Sequence, residues 1–197
     1  MARTERAIAL DAPALHLLPD RESDSALADA FHAARTGDRL AFEEIYRRFV
    51  RVVHGLILAR LGPGDAEDVT QEVFLSVFQK LGSVRDLPSL PQWICTVARN
   101  RATDHMRRRL RRPGHEPLAE SSIPAGADTG RELREHVMAR ISSLPDSYRE
   151  TLVLRLVEGL TGPEIAERTG LTKGSVRVNL SRGMAMLRPL LREDALS

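Results

Sequence analysis

Phe42, Ile45, Tyr46, Phe49, Val52, Val53, Leu56 and Ile57 recur at three- and four-residue spacing. That spacing stacks side chains along one face of an α-helix and sends the face into a core. The run stops at Leu61-Gly-Pro-Gly, where glycine loosens the backbone and proline removes a helical donor. A shorter helix is predicted before it, from Ala26 to Thr36, closed by Gly37, with Asp38 placed to cap its successor. A third helix is expected from Asp65 to about Leu81, its apolar stripe made of Val69, Val73, Phe74, Val77, Phe78 and Leu81. A loop from Gly82 to Pro91 then leads into a long helix, about Gln92 to Arg111, whose second half is dominated by arginine.

From Arg112 to Thr129 the pattern disappears. Pro113, Gly114, Pro117, Pro124 and Gly126 interrupt a stretch with no apolar face, which reads as an interdomain linker. Periodicity returns with Leu133, Val137, Met138 and Ile141, breaks at Pro145, and resumes from Tyr148 to Glu158. Next comes a helix-turn-helix pattern. A short helix from Pro163 to Thr169 buries Ile165 and Ala166, Gly170 supplies the turn, Leu171 is expected to plug the core, and Thr172 is placed to cap the following helix. Val176, Leu180 and Met184 form that last helix's buried face as it runs to about Leu191.

The exposed early positions of this recognition helix are Lys173, Ser175, Arg177, Val178, Asn179, Ser181 and Arg182. Arginine and asparagine suit bidentate contacts with guanine and adenine edges, and a lysine at the helix start can meet phosphate. A plain helical hairpin with a solvated basic face is the competing reading.

Composition narrows the class. Aromatic residues are only 4% of the 197 positions, β-branched runs are short, and leucine, alanine, arginine and glutamate abound. The expectation is all-α: two small helical domains, 26–111 and 131–197, joined by a flexible linker, 112–130, behind a leader, 1–25, without periodicity. The formal charge is only +2, so what matters is that the arginines cluster locally. A single cysteine, Cys95, rules out a disulfide framework and a cysteine-built zinc site, and no histidine spacing suggests a metal. No cofactor is called for. Catalysis is not expected either, since nucleophile–base pairs, ligand clusters and phosphate-cradling glycine loops are lacking. No apolar run approaches the roughly 20 residues that span a bilayer, and acidic residues interrupt the N-terminus, so a cytoplasmic setting without membrane insertion is expected.

Two polar faces stand out in the first domain. Asp68, Gln71 and Glu72 share one side of the third helix, a patch that could dock a basic partner or simply be solvated. On the long helix Asn100, Arg101, Asp104, Arg107 and Arg108 fall on adjoining turns, with Arg109, Arg111 and Arg112 continuing the charge. Such a strip could neutralise phosphates or lie on an acidic partner. Trp93 reads as a core anchor, Cys95 as a packed residue, and His105 as facing phosphate or solvent.

Asp65-Ala-Glu-Asp-Val-Thr-Gln-Glu-Val-Phe-Leu-Ser-Val-Phe, then Trp93-Ile-Cys-Thr-Val-Ala-Arg-Asn with Asp104 and Arg107, then the C-terminal helix-turn-helix, resemble in order the motifs of bacterial RNA polymerase sigma factors, specifically the small extracytoplasmic-function (ECF) group. The resemblance covers roughly Ala26 to Leu191 and makes the two domains sigma region 2 and sigma region 4. It implies that Asp68, Gln71 and Glu72 grip the coiled coil of the polymerase's largest subunit. It also implies that the loop centred on Val84 and Arg85, with Asn100 beside it, captures a flipped non-template base of the minus-ten element, and that the strip of Arg101, Asp104, Arg107 and Arg108 belongs to the same melting surface. Thr172, Lys173, Ser175, Arg177, Val178, Asn179, Ser181 and Arg182 would read the minus-thirty-five element. The partners implied are core RNA polymerase through its coiled coil and flap, promoter DNA as duplex and as melted non-template strand, and an anti-sigma factor.

Val178-Asn179 stands where many ECF members carry Ser-Arg, so the promoter sequence does not transfer from relatives. A stand-alone helix-turn-helix regulator remains the alternative. It would leave the acidic patch and the single-strand loop without a purpose.

Overall fold

Asp38 starts the second helix as its position predicts: its carboxylate accepts the backbone N–H of Leu40 at 2.9 Å and of Ala41 at 3.1 Å. Those donors would otherwise be left open at the helix N-terminus. In the computed structural model, which describes residues 21–111 and 129–194, this helix is α2, Arg39–Leu61, preceded by α1, Arg21–Arg35. At Gly62 the backbone turns to φ +79°, and Pro63 occupies the first turn of α3, Pro63–Lys80, where its missing donor costs nothing. The fourth helix, α4, runs Leu90–Leu110. In the second half lie α5, Thr129–Ser142; α6, Asp146–Leu156; α7, Gly162–Thr169; and α8, Lys173–Asp194. No strand occurs among the described residues, so the all-α expectation holds. Residues 1–20 of the expected leader and 112–128 of the expected linker lie outside the described residues.

The segment expected to be a loop before α4 is more ordered than its sequence suggests. It forms two single 3-10 turns, Leu81–Ser83 and Leu87–Ser89, and the Asp86 carboxylate accepts the Ser89 N–H at 3.0 Å. Leu81, Val84 and Leu90 are buried and pin it to the core.

The centre of the molecule is α2. Ile45, Val52, Val53, Leu56 and Ile57 are fully buried against Val69, Val73 and Val77 of α3 and Ile94, Ala98 and Ala102 of α4. Each buried aliphatic side chain of this kind contributes about 1.5–3 kcal/mol. The apolar core then continues into Leu152, Val153, Leu154, Leu160 and Ile165 of the second half. Helix α6 lies along α2, and α7 touches α4. The two helical groups, which sequence organises as separate domains on a linker, are docked on one another.

The helix-turn-helix forms as its pattern requires. Thr161 and Glu164 make a reciprocal capping box at the start of α7, Gly170 takes the left-handed conformation at φ +73°, and the Thr172 hydroxyl accepts the Ser175 N–H at 3.0 Å. One expectation fails: Leu171 does not plug the core. It is 37% exposed, while Leu160, Ile165 and Val176 are the buried residues of this segment.

Candidate polymerase and nucleic-acid interface

Helix α3 buries Val69, Thr70, Val73 and Val77, which turns Asp68, Gln71 and Glu72 to its outer side. Asp68 and Gln71 are exposed, whereas Glu72 is half-buried. The Glu72 carboxylate lies 3.6 Å from Arg108 and 3.9 Å from Arg101, both on α4. Arg101 also donates to the Ser76 hydroxyl of α3. The acidic patch and the arginine strip, expected as two sites, therefore adjoin along one seam. Solvent-facing pairs of this sort add about 0–1 kcal/mol, so they orient side chains more than they stabilise the fold.

Asn100, Asp104, Arg107 and Arg108 are exposed on α4, with Arg107 3.9 Å from Asp104. His105 does not face open solvent. Its Nε2 lies 3.4 Å from Asp65 of α3, which also takes Arg109 at 3.2 Å, because the helix turn carries both residues back towards α3. Val84 is a correction of another kind: it is only 3% exposed and packs inward, so in this conformation its side chain offers no surface to a base. Arg85 beside it is 94% exposed, with its Nε 3.9 Å from the Asp86 carboxylate.

On α8, Lys173, Ser175, Arg177, Val178, Ser181 and Arg182 are exposed, with Thr172 just before them, and the first turn carries no acidic residue. A cationic, outward-facing helix start suits the phosphates and base edges of a major groove. Asn179 departs from the expected set. It is half-buried, with its side-chain nitrogen 3.5 Å from the Thr151 hydroxyl of α6, so it faces the protein more than its neighbours do. Beside this face an open groove of about 260 Å³ runs between α7 and α8, lined by Pro163, Lys173, Val176, Arg177 and Leu180.

Sequence reasoning missed the junction between the two helical groups altogether. Glu150 of α6 is buried, and its carboxylate receives Arg99 of α4 and Arg60 of α2. Burial alone would lower the Arg99 guanidinium, but the hydrogen bonds and charge of Glu150 outweigh it and hold Arg99 above the ordinary value. Nearby, His54 Nδ1 lies 2.7 Å from Glu158. That hydrogen bond raises the His54 pKa against the lowering effect of burial, and the charges of Glu158 and Glu67 add to it. On α7, burial lowers the Arg168 guanidinium. Burial would raise Glu164, yet the Thr161 hydrogen bonds and Arg168 together bring it below its usual range. Nothing local in the sequence marks Glu150: its neighbours one turn back are Asp146 and Ser147, and those one turn on are Val153 and Leu154.

One all-helical chain carries a helix-turn-helix, an arginine-rich helix and an acidic helix, a combination suited to a DNA-binding protein. The family model for Sigma-70 region 2 matches residues 45–112, and that for Sigma-70, region 4 matches residues 134–187. The chain is 32% identical over 163 residues to RNA polymerase sigma factor CarQ of Myxococcus xanthus, covering 81% of this chain and 94% of that one. It is 29% identical over 192 residues to the RNA polymerase sigma-H factor of Pseudomonas aeruginosa (88% and 98% covered), and 29% identical over 174 residues to the ECF RNA polymerase sigma-E factor of Escherichia coli K12 (79% and 91%). The chain belongs to the sigma-70 family of RNA polymerase sigma factors, in its ECF group. Solved structures share the fold: CnrH in complex with the cytosolic domain of CnrY (TM-score 0.59, 23% identity, 86% of this chain and 99% of that chain), and the sigma factor RpoE with the anti-sigma factor NepR from Bartonella quintana (0.53, 21%, 77% and 96%). No helix among the described residues is long and apolar enough to cross a membrane.

Proposed function

We propose that this sigma factor uses the outer side of α3, Asp68, Gln71 and Glu72, to hold the largest-subunit coiled coil of core RNA polymerase, while α4 and the loop before it open the minus-ten element. Arg85 and Asn100 would receive the flipped non-template base, and Arg101, Asp104, Arg107 and Arg108 would track its backbone. Unstacking a base costs a few kcal/mol, which pocket contacts and neutralised phosphates offset without ATP. The exposed start of α8, from Thr172 to Arg182, would read the minus-thirty-five duplex, with region 4 also meeting the polymerase flap. An anti-sigma factor is the expected inhibitor, in keeping with the solved complex of the sigma factor RpoE with the anti-sigma factor NepR, which shares the fold.

The observation that carries this reading is the seam at Glu72. Glu72 lies 3.9 Å from Arg101 and 3.6 Å from Arg108, which supports one surface engaging enzyme and melted DNA together. A stand-alone regulator has no use for such a seam. The test is association with purified core polymerase, comparing the wild type with Gln71→Ala/Glu72→Ala. Binding that the double variant weakens at least tenfold, with its helical content intact, supports the assignment; equal binding by both would remove these residues from the interface.

A further inference from the structure

Val178 is an apolar side chain where the fold does not need one. It stands two residues on from Val176, which is 1% exposed and belongs to the core. Two residues turn an α-helix by about 200°, so Val178 points away from that core, and it is 40% exposed. Among residues 173–182 it is the one large apolar side chain on the surface. Valine is also a weaker helix former than alanine or the straight-chain residues, because its branched Cβ crowds the preceding turn. Neither packing nor helix propensity accounts for it.

Its neighbours on the same face are of two kinds. One turn before it is Gly174, where an added Cβ would meet only the Thr172 hydroxyl, at 3.8 Å, and one turn after it is Ser181 with a short side chain. Lys173, Arg177 and Arg182 supply charge, and none of them has an ion pair or a side-chain hydrogen bond among the described residues. The arginines of α6 and α7 behave otherwise: Arg149 and Arg155 donate to the carbonyls of Leu144 and Leu160, and Arg168 donates to Glu164. Asn179, whose amide would suit adenine, faces Thr151 instead. The outward face of early α8 therefore offers cationic side chains around a single valine.

In the major groove thymine alone of the four bases carries a methyl group, and guanine alone presents two acceptors to a guanidinium fork. Consecutive Cα atoms are about 3.8 Å apart and stacked base pairs about 3.4 Å, so Arg177 and Val178 reach neighbouring base pairs. We propose that Val178, once α8 lies in the major groove as the preceding reading requires, packs against the 5-methyl group of a thymine beside a guanine held by Arg177. The duplex element is thereby specified at two adjoining positions, one by hydrogen bonds and one by apolar contact.

The test selects sites from a randomised duplex library in two arms, the full-length protein with core polymerase and the full-length protein alone. Each thymine of a selected site is then replaced in turn by deoxyuridine, which removes the methyl group and leaves the hydrogen-bonding edge unchanged. For the wild type, replacement of one thymine beside a guanine should weaken binding roughly threefold to fivefold, the effect of one buried methyl. Val178→Ser and Val178→Gln should bind the thymine and deoxyuridine sites equally, whereas Val178→Ile should keep the preference. Arg177→Lys should relax the choice of guanine and leave the methyl effect in place. Thermal melts check that each variant folds. Wild-type binding that no deoxyuridine weakens beside a guanine would overturn the assignment, as would a full methyl effect at that thymine in a folded polar variant. Should both polar variants unfold, the wild-type series decides alone, and failure of both arms to enrich any site also contradicts the assignment. Enrichment by the protein alone, with none added by core polymerase, contradicts the polymerase reading and leaves Val178 to be judged by the same deoxyuridine series. Enrichment with core polymerase at sites indifferent to the methyl contradicts only the role of Val178.

Discussion

Arg99 and Glu150 lie 51 residues apart in sequence and share three hydrogen-bond contacts of 2.9–3.2 Å, the most extensive polar contact between the two halves of the chain among the described residues. Because Glu150 is buried and Arg99 is 31% exposed, losing one partner leaves the other only partly compensated by water. Arg99→Ala and Glu150→Ala should each destabilise the protein by about 1–3 kcal/mol, and the double variant should cost less than their sum. Arg60 remains on Glu150 in the Arg99 variant, so that variant should be the milder one. Urea unfolding of the four proteins measures the coupling, and strict additivity would contradict it.

His54 sets a pH dependence. Its pKa in the folded protein is raised above 6.5, chiefly by the Glu158 hydrogen bond. The stabilisation is therefore fully present below pH 6.5 and is lost as pH rises through the raised value. Urea midpoints should fall across that window in the wild type. His54→Gln should flatten the decline, and an unchanged slope in that variant would show that the histidine is not its source.

Gly170 serves the reader turn and the junction at once. Its φ is +73°, and an added Cβ would lie 3.1 Å from the Gln92 Cβ on α4. Gly170→Ala should cost about 1–2 kcal/mol from the backbone alone. Gly170→Asn should recover part of that, since asparagine tolerates the left-handed conformation, but not the contact with Gln92. Thermal unfolding of both variants tests the order: alanine below asparagine, and both below wild type.

On the recognition helix the structure separates two residues of similar chemistry. Arg177 is exposed, so Arg177→Ala should leave the melting temperature unchanged and weaken promoter-dependent transcription by about 1–3 kcal/mol, roughly 5- to 150-fold. Asn179 faces Thr151, so Asn179→Ala should lower stability and affect promoter choice less. The pair is compared by run-off transcription beside thermal melts, and a reversal of the two phenotypes would show that α8 docks by a different face.

Helix periodicity made α2, α3 and the helix-turn-helix legible in the sequence because their apolar stripes are local. Asp38, Gly62 and Thr172 were legible for the same reason, since caps and turns answer to neighbours a few residues away. The docking of α6 on α2 was not, because it depends on Glu150 meeting Arg60 and Arg99 from distant segments, and charge patterning along a chain cannot pair them. Val84 shows the limit of transferring a motif: valine fits a loop that touches DNA and a loop that plugs a core equally well, and only the two 3-10 turns reveal which way it points here. Leu171 fails similarly: apolarity alone marked it for the core, yet it is 37% exposed while Leu160, Ile165 and Val176 are buried.

The central claim is that this chain gives promoter specificity and strand opening to core RNA polymerase. Its most direct test is run-off transcription of genomic fragments by core enzyme with and without the protein, paired with permanganate probing of unpaired thymines near each start site. Discrete transcripts and permanganate-reactive thymines around the minus-ten position, appearing only when the protein is present and lost with Asn100→Ala/Arg101→Ala, are the predicted result. A folded, inhibitor-free protein that leaves core transcription unchanged and opens no thymine would contradict the account.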